Sequence, residues 1–571
     1  MISVERSFFD RFPYLAAGRA RSFSQPVVDL LRKIACEDRI NRTLEQCNPL
    51  SGFDFVERAL DSLGCSYRVA NTDRDNIPAE GRLVIVANHP LGALDAMALL
   101  HLIGTVRRDV RILGNEVLMQ LKPLASLLLP VNVFGSNGAA LGHMRDVYRA
   151  LDREQALIFF PAGEVSRISA QGVRDGNWGN GFARLATRTG ASLLPVHIAA
   201  HNSPTFYGVS MLAKPLSSLL LVREMYAARA PIGISVGETV AASELAKVPA
   251  ERAAQSMRRH VYQLARRRPT VFATSRAIAH PESPLAIRDA LKSAEVLGST
   301  RDGKRILLAD AQPDCPLLRE IGRLRELSFR RVGEGTGARR DLDRFDAHYR
   351  HLLLWDEHAL AIVGAYRLGE AGPIMRTHGA QGLYSSTLFD YAASATPFLE
   401  RGVELGRSFV QPAFWGSRSL DYLWQGIGAY LRHRPEVRYL FGPVSLSAAL
   451  PAAARDLIVH CHQHYFGDTE QLARARNPFA VSPGVVETAS AWSGCEVDVG
   501  LAHLRDELVR LDCTLPVLYR QYVELCAPEG VRFLAFGTDP SFGHCVDGLI
   551  RLDLTHLKPA KRARYLGPLQ N

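Results

Sequence analysis

The sequence predicts two consecutive α/β units, and three observations lead there. The chain has 571 residues, more than one hydrophobic core ordinarily organises. From Arg82 onward, short apolar runs alternate with segments of helical spacing, the pattern of buried strands in an α/β sheet. Between His280 and Thr300 the pattern lapses into prolines and short polar pieces before it resumes. The expected division is 1–280, a linker over 281–300, and 301–571.

The first seventy residues mix arginines with helical apolar spacing, as in "PVVDLLRKIACEDRINRTLEQ", and read as helices ahead of a catalytic unit. The runs "LVIVAN", "VRILGN", "ALIFFPAG", "SLLPVHI" and "PIGISVGE" then read as strands, each bounded by turn-forming residues. In the second unit "HALAIVGAYRL", "RSFVQPAF", "RYLFGPVS" and "VRFLAFG" read as strands, and "LDYLWQGIGAYLRHRP" as an amphipathic helix. The chain has no internal repeat and no long low-complexity segment.

Composition narrows the function. At 47% hydrophobic and 22% charged residues, the chain is globular rather than disordered or fibrous. Its net charge of +10 favours an acidic partner: anionic lipid, nucleic acid or an acidic carrier protein. Zinc-finger spacing, RNA-recognition aromatics and a basic helix running into heptads are all missing, so no nucleic-acid partner is expected. The nine scattered cysteines suit a reducing, cytoplasmic setting. The N-terminal stretch lacks the apolar core of a signal peptide, and no apolar run reaches the roughly 20 residues of a spanning helix. Any membrane contact is expected to be peripheral.

In "LVIVANHPLGALD", Leu83 to Asp95, a buried strand ends in a histidine, a proline-glycine corner and an aspartate. A histidine there is a natural general base for a hydroxyl, and a carboxylate beside it fixes its tautomer. The plainer alternative is a turn histidine with a helix-capping aspartate. "LLLPVNVFG", "FFPAGEVSR" and "LLPVHI" follow in order. Together these motifs resemble the glycerolipid acyltransferase superfamily over about 81–237. The resemblance implies His89 as base, Asp95 as its partner and an acyl thioester as donor.

Two departures carry information. The family's usual block has four residues between histidine and aspartate, and here five intervene. On one regular helix either spacing leaves the side chains about 120–140° apart, so the chain must turn at Pro90 and Gly92. In "FPAGEVSR", Ala162 stands where the family has a glutamate, and Glu164 comes two positions later. This change speaks against a glycerol-phosphate acceptor, while Glu164 and Arg167 remain as substrate-binding residues or as a surface ion pair. The block is similar to that of bacterial hemolysin-like and amino-acid lipid synthases.

The second half carries "RRDLDRFDAHYRHLLLWD", "VGAYRL", "YSSTLFD", "VELGRSFVQPAF" and "LWQGIGAYL". These resemble the N-acyltransferase branch of the GNAT fold that includes ornithine lipid synthases and, more distantly, acyl-homoserine lactone synthases. The resemblance implies an amino-acid amine as acceptor. Read physically, Asp343, Asp346, Glu404 and Arg407 could accept a cationic amine and balance its carboxylate, or the acidic pair near 343 could lie in a solvated loop. The base is a carboxylate or an ordered water, with Glu404 the leading candidate, and Arg367 is expected among the substrate-binding residues. No clean glycine-rich pyrophosphate cradle follows "ELGRSFVQPAF", which suits an acyl carrier protein whose phosphopantetheine arm lacks the adenosine diphosphate portion. "HCHQH", His460 to His464, has the wrong spacing for one tetrahedral centre, so no metal and no bound cofactor are expected.

Joined, the two resemblances imply a bifunctional ornithine lipid synthase on the inner face of the cytoplasmic membrane. The second unit would N-acylate ornithine with a 3-hydroxyacyl chain from acyl carrier protein, and the first would O-acylate the lyso-lipid. "VSMLAKPLSSLLLVREMYAARAP", Val209 to Pro231, is either an interfacial segment or a core helix. A phospholipid acyltransferase with a regulatory second domain, a membrane-damaging hemolysin and a soluble acyl-amino-acid synthase are the alternatives.

Overall fold

The computed structural model describes residues 36–114, 121–130, 138–169, 172–212, 214–227, 230–266, 268–310, 312–485 and 494–567, with a few isolated positions from 5 to 33. They form two compact units, 1–280 and 281–571. The expected helix over 26–46 is described as α1 (Glu37–Gln46) and is followed by α2 (Gly52–Ser62).

The first unit is built on β1 (Tyr67–Val69), β2 (Leu83–Ala87), β3 (Val110–Gly114), β4 (Leu128–Pro130), β5 (Ala156–Phe159), β8 (Ser192–Ala199) and β9 (Ile232–Val236), with a separate hairpin of β6 (Arg167–Ser169) and β7 (Gly172–Arg174). Among the described residues the sheet runs β1-β9-β8-β2-β5-β3-β4. All its neighbours are parallel except β8 and β9. Side chains of β2 alternate between two cores, which explains its unbroken apolar run. Leu83, Ile85 and Ala87 pack with Phe55 of α2 and with Leu99 and Leu102 of α3 (Ala93–Gly104). Val84 and Val86 pack with Leu151 of α4 (Gly138–Asp152), Phe182 of α5 (Gly181–Thr189) and Met257 of α8 (Ala250–Leu264). The crevice beyond the carboxyl ends of such strands is where open α/β sheets place ligands.

The stretch Val209 to Pro231 covers the end of α6 (Pro204–Leu212), α7 (Lys214–Met225) and the approach to β9; several of its positions, like 131–135 of "LLLPVNVFG", lie outside the described residues. Leu220 and Leu221 of α7 pack against Val165, Phe206 and Tyr207, while Met211 is exposed. No helix among the described residues is long and apolar enough to cross a membrane.

The second unit holds an eight-stranded sheet, among the described residues, ordered β10-β11-β12-β13-β15-β16-β19-β18. Its strands are β10 (Glu295–Ser299), β11 (Arg305–Asp310), β12 (Arg350–Asp356), β13 (Ala361–Glu370), β15 (Gly402–Val410), β16 (Tyr439–Leu446), β18 (Val531–Asp539) and β19 (Cys545–Asp553). A separate two-stranded pair, β14 (Phe389–Tyr391) and β17 (Ala473–Ala475), packs against it through Phe389, Ala473 and Ala475. The span expected as a linker is folded instead: 281–300 contains α9 (Pro284–Ala290) and edge strand β10, which pairs with β11. An edge strand with only one covered face needs few apolar residues. Leu297 is buried and Val296 exposed, so no sustained apolar run marks it.

Every neighbouring pair in this sheet is antiparallel except β15 and β16. These two are paired only from Gly402 to Glu404 against Tyr439 to Phe441, and then part. At Gly442 a Cβ would collide with the Leu405 carbonyl oxygen, so the closest approach of the two backbones requires glycine. Across the sheet lie α10 (Pro316–Arg331), α11 (Ser419–Arg432) and α12 (Ala452–Phe466).

Candidate active sites

The chain leaves β2 at Ala87 and enters α3 at Ala93, so His89, Pro90 and Gly92 form the connecting corner. Asn88 pins its start by exchanging two hydrogen bonds with the Ile198 backbone at the end of β8, of 2.9 and 2.7 Å. The Asn202 amide donates to the Pro90 carbonyl at 2.9 Å. Gly92 has φ +85°, a conformation open to glycine that reverses the chain. The reversal brings His89 Nδ1 to 3.2 Å from Asp95 Oδ2, with the carboxylate fully buried and the ring 18% exposed.

Asp95 does two jobs at once. Its Oδ2 also accepts the backbone N–H groups of Leu91 (2.6 Å) and Gly92 (3.0 Å), which caps α3. Because those donors already claim this oxygen, His89 Nδ1 approaches it without an aligned hydrogen bond, a loose geometry common in unliganded catalytic pairs. Phe160 stacks on the imidazole at 4.1 Å between ring centres.

The "FPAGEVSR" loop continues from β5, beside β2, and closes around the histidine. The Ser166 N–H donates to the His89 carbonyl at 2.8 Å. Asp175 Oδ1 accepts the His89 N–H (3.1 Å) and the Ser166 hydroxyl (2.5 Å), and its Oδ2 accepts Trp178 Nε1 (2.9 Å). Burial pushes the Asp175 carboxyl up from its ordinary value, and these donors pull against that rise. Ala162 packs against the core face that contains Phe182. Glu164 and Arg167 make a partly exposed ion pair at 3.4 Å, and Arg167 also donates to the Ser210 hydroxyl.

In the second unit, the parting of β15 and β16 opens a cavity of about 470 Å³. Leu405 to Ser408 line one side and Pro443 to Ser445 the other, with Glu334, Tyr384 and Asp547 among the remaining walls. Arg407 sits at the β15 bulge with φ +49°, which is unusual for a side chain of that size and marks a constrained position. Its guanidinium contacts Asp341 (3.0 Å) and Asp343 (3.7 Å), donates to the Tyr384 hydroxyl (3.1 Å) and lies over the Tyr384 ring.

Behind that wall is a buried ion network. Asp346 accepts from Arg325 (2.7 Å) and Arg367 (3.1 Å), and Arg367 also binds Asp343 at 2.6 Å. Burial alone would raise the Asp346 carboxyl, but the two guanidinium groups outweigh it and hold the carboxyl well below the usual range. His351 is driven down to about 3 by burial and by Arg325, so it stays neutral in this network.

Two carboxyl groups in the cavity wall behave differently. Desolvation pushes Asp547 up to about 6, assisted by the charge of Asp539 and opposed by a 2.6 Å hydrogen bond from Ser445. Desolvation, reinforced by the charge of Asp547, pushes Glu334 up to about 8. Carboxyl groups poised near neutrality beside a cavity have the properties of acid–base catalysts.

An acyltransferase family model matches 13–273, and a GNAT acetyltransferase domain model matches 324–425. A lyso-glycine lipid O-acyltransferase of Bacteroides thetaiotaomicron is 32% identical, the match covering 35% of this chain and 73% of that protein. The chain belongs to the acyltransferase family. A glycine N(alpha)-acyltransferase of the same organism is 28% identical over 47% of this chain and 82% of that protein. An L-ornithine N(alpha)-acyltransferase of Brucella abortus is 40% identical over 22% of this chain and 50% of that protein. This acyltransferase is thus an enzyme of acyl transfer with an acyltransferase domain followed by a GNAT domain, the arrangement its motifs imply.

Within this acyltransferase, His89 and Asp95 meet, with Glu164 and Arg167 on the loop that clasps the histidine backbone. In the second unit the expected residues divide. Arg407 lines the cavity; Asp343 and Arg367 stand behind it, and Asp346 is sealed in ion pairs. The expected base, Glu404, is not among the residues that line the cavity. It is 1% exposed and accepts from the Tyr349 hydroxyl, the Tyr384 N–H (3.2 Å) and the Ser385 N–H (2.7 Å). It therefore anchors the turn that carries Tyr384. His462 of "HCHQH" is a core histidine that contacts the Ile458 carbonyl at 2.7 Å. No group of His, Cys, Asp and Glu among the described residues is arranged to hold a metal ion.

Sequence reasoning missed Asp175, Glu334 and Asp547. For Asp547 a signal existed: a lone carboxylate inside the apolar run of "CVDGLIRL", where a buried acid needs a reason. Asp175 and Glu334 sit in turn-like sequence, where acidic residues are ordinary.

Proposed function

We propose that the chain is a bifunctional synthase of an amino-acid lipid, with ornithine as the favoured head group. The second unit takes a 3-hydroxyacyl chain from acyl carrier protein and places it on the α-amino group. The first unit then esterifies the 3-hydroxyl of that lyso-lipid, working peripherally at the cytoplasmic face of the membrane. The observation that carries this reading is that one chain holds two separate candidate sites: a histidine 3.2 Å from a buried aspartate, and a cavity whose walls combine one arginine with two neutral-range carboxyl groups.

In the second unit Arg407 faces the acceptor carboxylate, and Asp547 with Glu334 takes the ammonium proton. The freed nitrogen attacks the thioester carbonyl, the carbon–sulfur bond breaks, and the departing thiolate takes up a proton. Glu404 positions Tyr384 rather than reacting. Two carboxyl groups against one arginine also complement an amino acid with a second cationic group, which favours ornithine over glycine. The curated relatives are named for both amino acids. In the first unit His89 takes the proton of the lyso-lipid hydroxyl as it attacks the second thioester, and Asp95 stabilises the imidazolium.

The test is reconstitution of the full chain with 3-hydroxyacyl carrier protein and a panel of ornithine, lysine, glutamine and glycine. Mass spectrometry of the product should give N-acyl-ornithine in excess. Equal or greater acylation of glycine would contradict the head-group assignment, and acylation of glycerol phosphate alone would contradict the function.

A further inference from the structure

Far along α8 from any expected motif, the first unit has a cavity of about 700 Å³ whose walls carry six arginines: Arg174, Arg252, Arg258, Arg259, Arg266 and Arg268. No carboxylate is among its described lining residues. Helical spacing explains the gathering. Ala253, Ala254, Met257 and Val261 bury one face of α8, so 252 and 259 recur about two turns apart on another, and 266 follows just past the helix end. Arg174 and Arg258 both stack on the Tyr262 ring, at 5.2 and 5.5 Å, and Arg258 Nε is buried without a hydrogen-bond partner. Guanidinium groups gathered around one concave surface form a site for an anion, with the fork geometry suited to phosphate oxygens.

The cavity is also wired to the histidine. Arg258 Nη2 donates to the Asp175 carbonyl at 2.6 Å, and the Asp175 N–H donates to the Tyr262 hydroxyl at 2.9 Å. Asp175 in turn accepts the His89 N–H at 3.1 Å. Two cavity residues therefore hold the segment that holds the base. Of the reactants proposed for this unit, the lyso-lipid has no phosphate, whereas the thioester donor carries one at the far end of its pantetheine arm.

We propose that the arginine cavity on α8 binds the phosphate of the acyl donor's phosphopantetheine arm and steadies the His89 segment when filled. The proposal deepens the O-acyltransferase reading of the first unit and rests on it for the donor's identity. The cavity accepts this phosphate whether it is attached to carrier protein or to coenzyme A.

The test uses the full chain and an Arg252→Gln/Arg259→Gln/Arg266→Gln variant, three exposed positions whose loss leaves the core intact. Calorimetric titration with 4′-phosphopantetheine should show one equivalent fewer bound by the variant. In ester formation, the variant's KM for acyl-4′-phosphopantetheine should rise at least about tenfold, with N-acylation and the KM for phosphate-free acyl-pantetheine unchanged. Parallel assays with acyl carrier protein and acyl-coenzyme A separate the two sources: a rise with either supports the phosphate site. Equal stoichiometry and affinity in variant and native chain would overturn it. So would lost binding to phosphatidylglycerol vesicles with 4′-phosphopantetheine binding retained, which would make the patch a membrane-facing surface. Normal 4′-phosphopantetheine binding without ester formation by the native chain would instead contradict the O-acyltransferase reading.

Discussion

The candidate sites of the two units are built by opposite arrangements of charge. In the first, a histidine and a buried aspartate lie six positions apart in sequence and meet across one corner, with Asp95 also satisfying backbone donors. In the second, the cavity wall is assembled from residues as distant as Glu334, Arg407 and Asp547, with arginines and aspartates locked behind it. A local dyad needs a turn; a dispersed cavity needs a rigid wall. The expense of burying Asp346 and Arg367 is therefore understandable in the second unit alone, where Arg407 must be held in an uncommon backbone conformation.

Removing the local base puts this contrast under the greatest strain. His89→Ala should lower ester formation by about 10²–10⁴-fold and leave N-acylation intact, measured as product ratios with both acyl donors present. Loss of both activities would mean that the units do not work separately. Next in size is the wall itself. Asp346→Ala strips Arg325 of its carboxylate and leaves Arg367 with Asp343 alone, and should cost about 3–5 kcal/mol of stability, read as a lower denaturant midpoint for the second unit. A stability change under about 1 kcal/mol would show that the network is solvated rather than structural.

A pH series separates the two units further. N-acylation should rise as Asp547 and Glu334 lose protons, over a window from about 6 to about 8. Asp547→Asn removes the neighbouring charge that raises Glu334, so any residual activity should have its upper transition at lower pH. The same pair makes the second unit easier to unfold as pH rises, because unfolded carboxyl groups ionise near pH 4 while folded Asp547 retains its proton to about 6 and folded Glu334 to about 8. An unchanged upper transition in Asp547→Asn would remove the pair from the mechanism. The smallest effect belongs to Glu164→Gln: its ion pair with Arg167 is partly exposed, worth about 0.2–1 kcal/mol, and ester formation should change only a few-fold.

Much of the fold was legible because buried strands announce themselves. "LVIVA" and "ALIF" are apolar throughout since both faces of the sheet are covered. Strand β10 was not legible, because its exposed edge tolerates Glu295 and Val296 pointing into solvent. For the site, the corner at Pro90 and Gly92 followed from the impossibility of pairing His89 with Asp95 on one helix. For Glu404 two roles could not be separated, because a charged residue in a strand looks the same in sequence whether it faces a substrate or secures a turn. Only the three donors around its carboxylate distinguish these roles.

The proposed function, two sites acting in succession on one lipid, predicts a product that can be weighed. The decisive measurement is lipid mass spectrometry of a host that lacks amino-acid lipids, expressing the native chain or His89→Ala. The expected result is a two-chain amino-acid lipid from the native chain and a one-chain N-acyl amino acid from the variant. A two-chain lipid from His89→Ala, or no amino-acid lipid from a folded native chain supplied with carrier protein, would contradict succession at two sites.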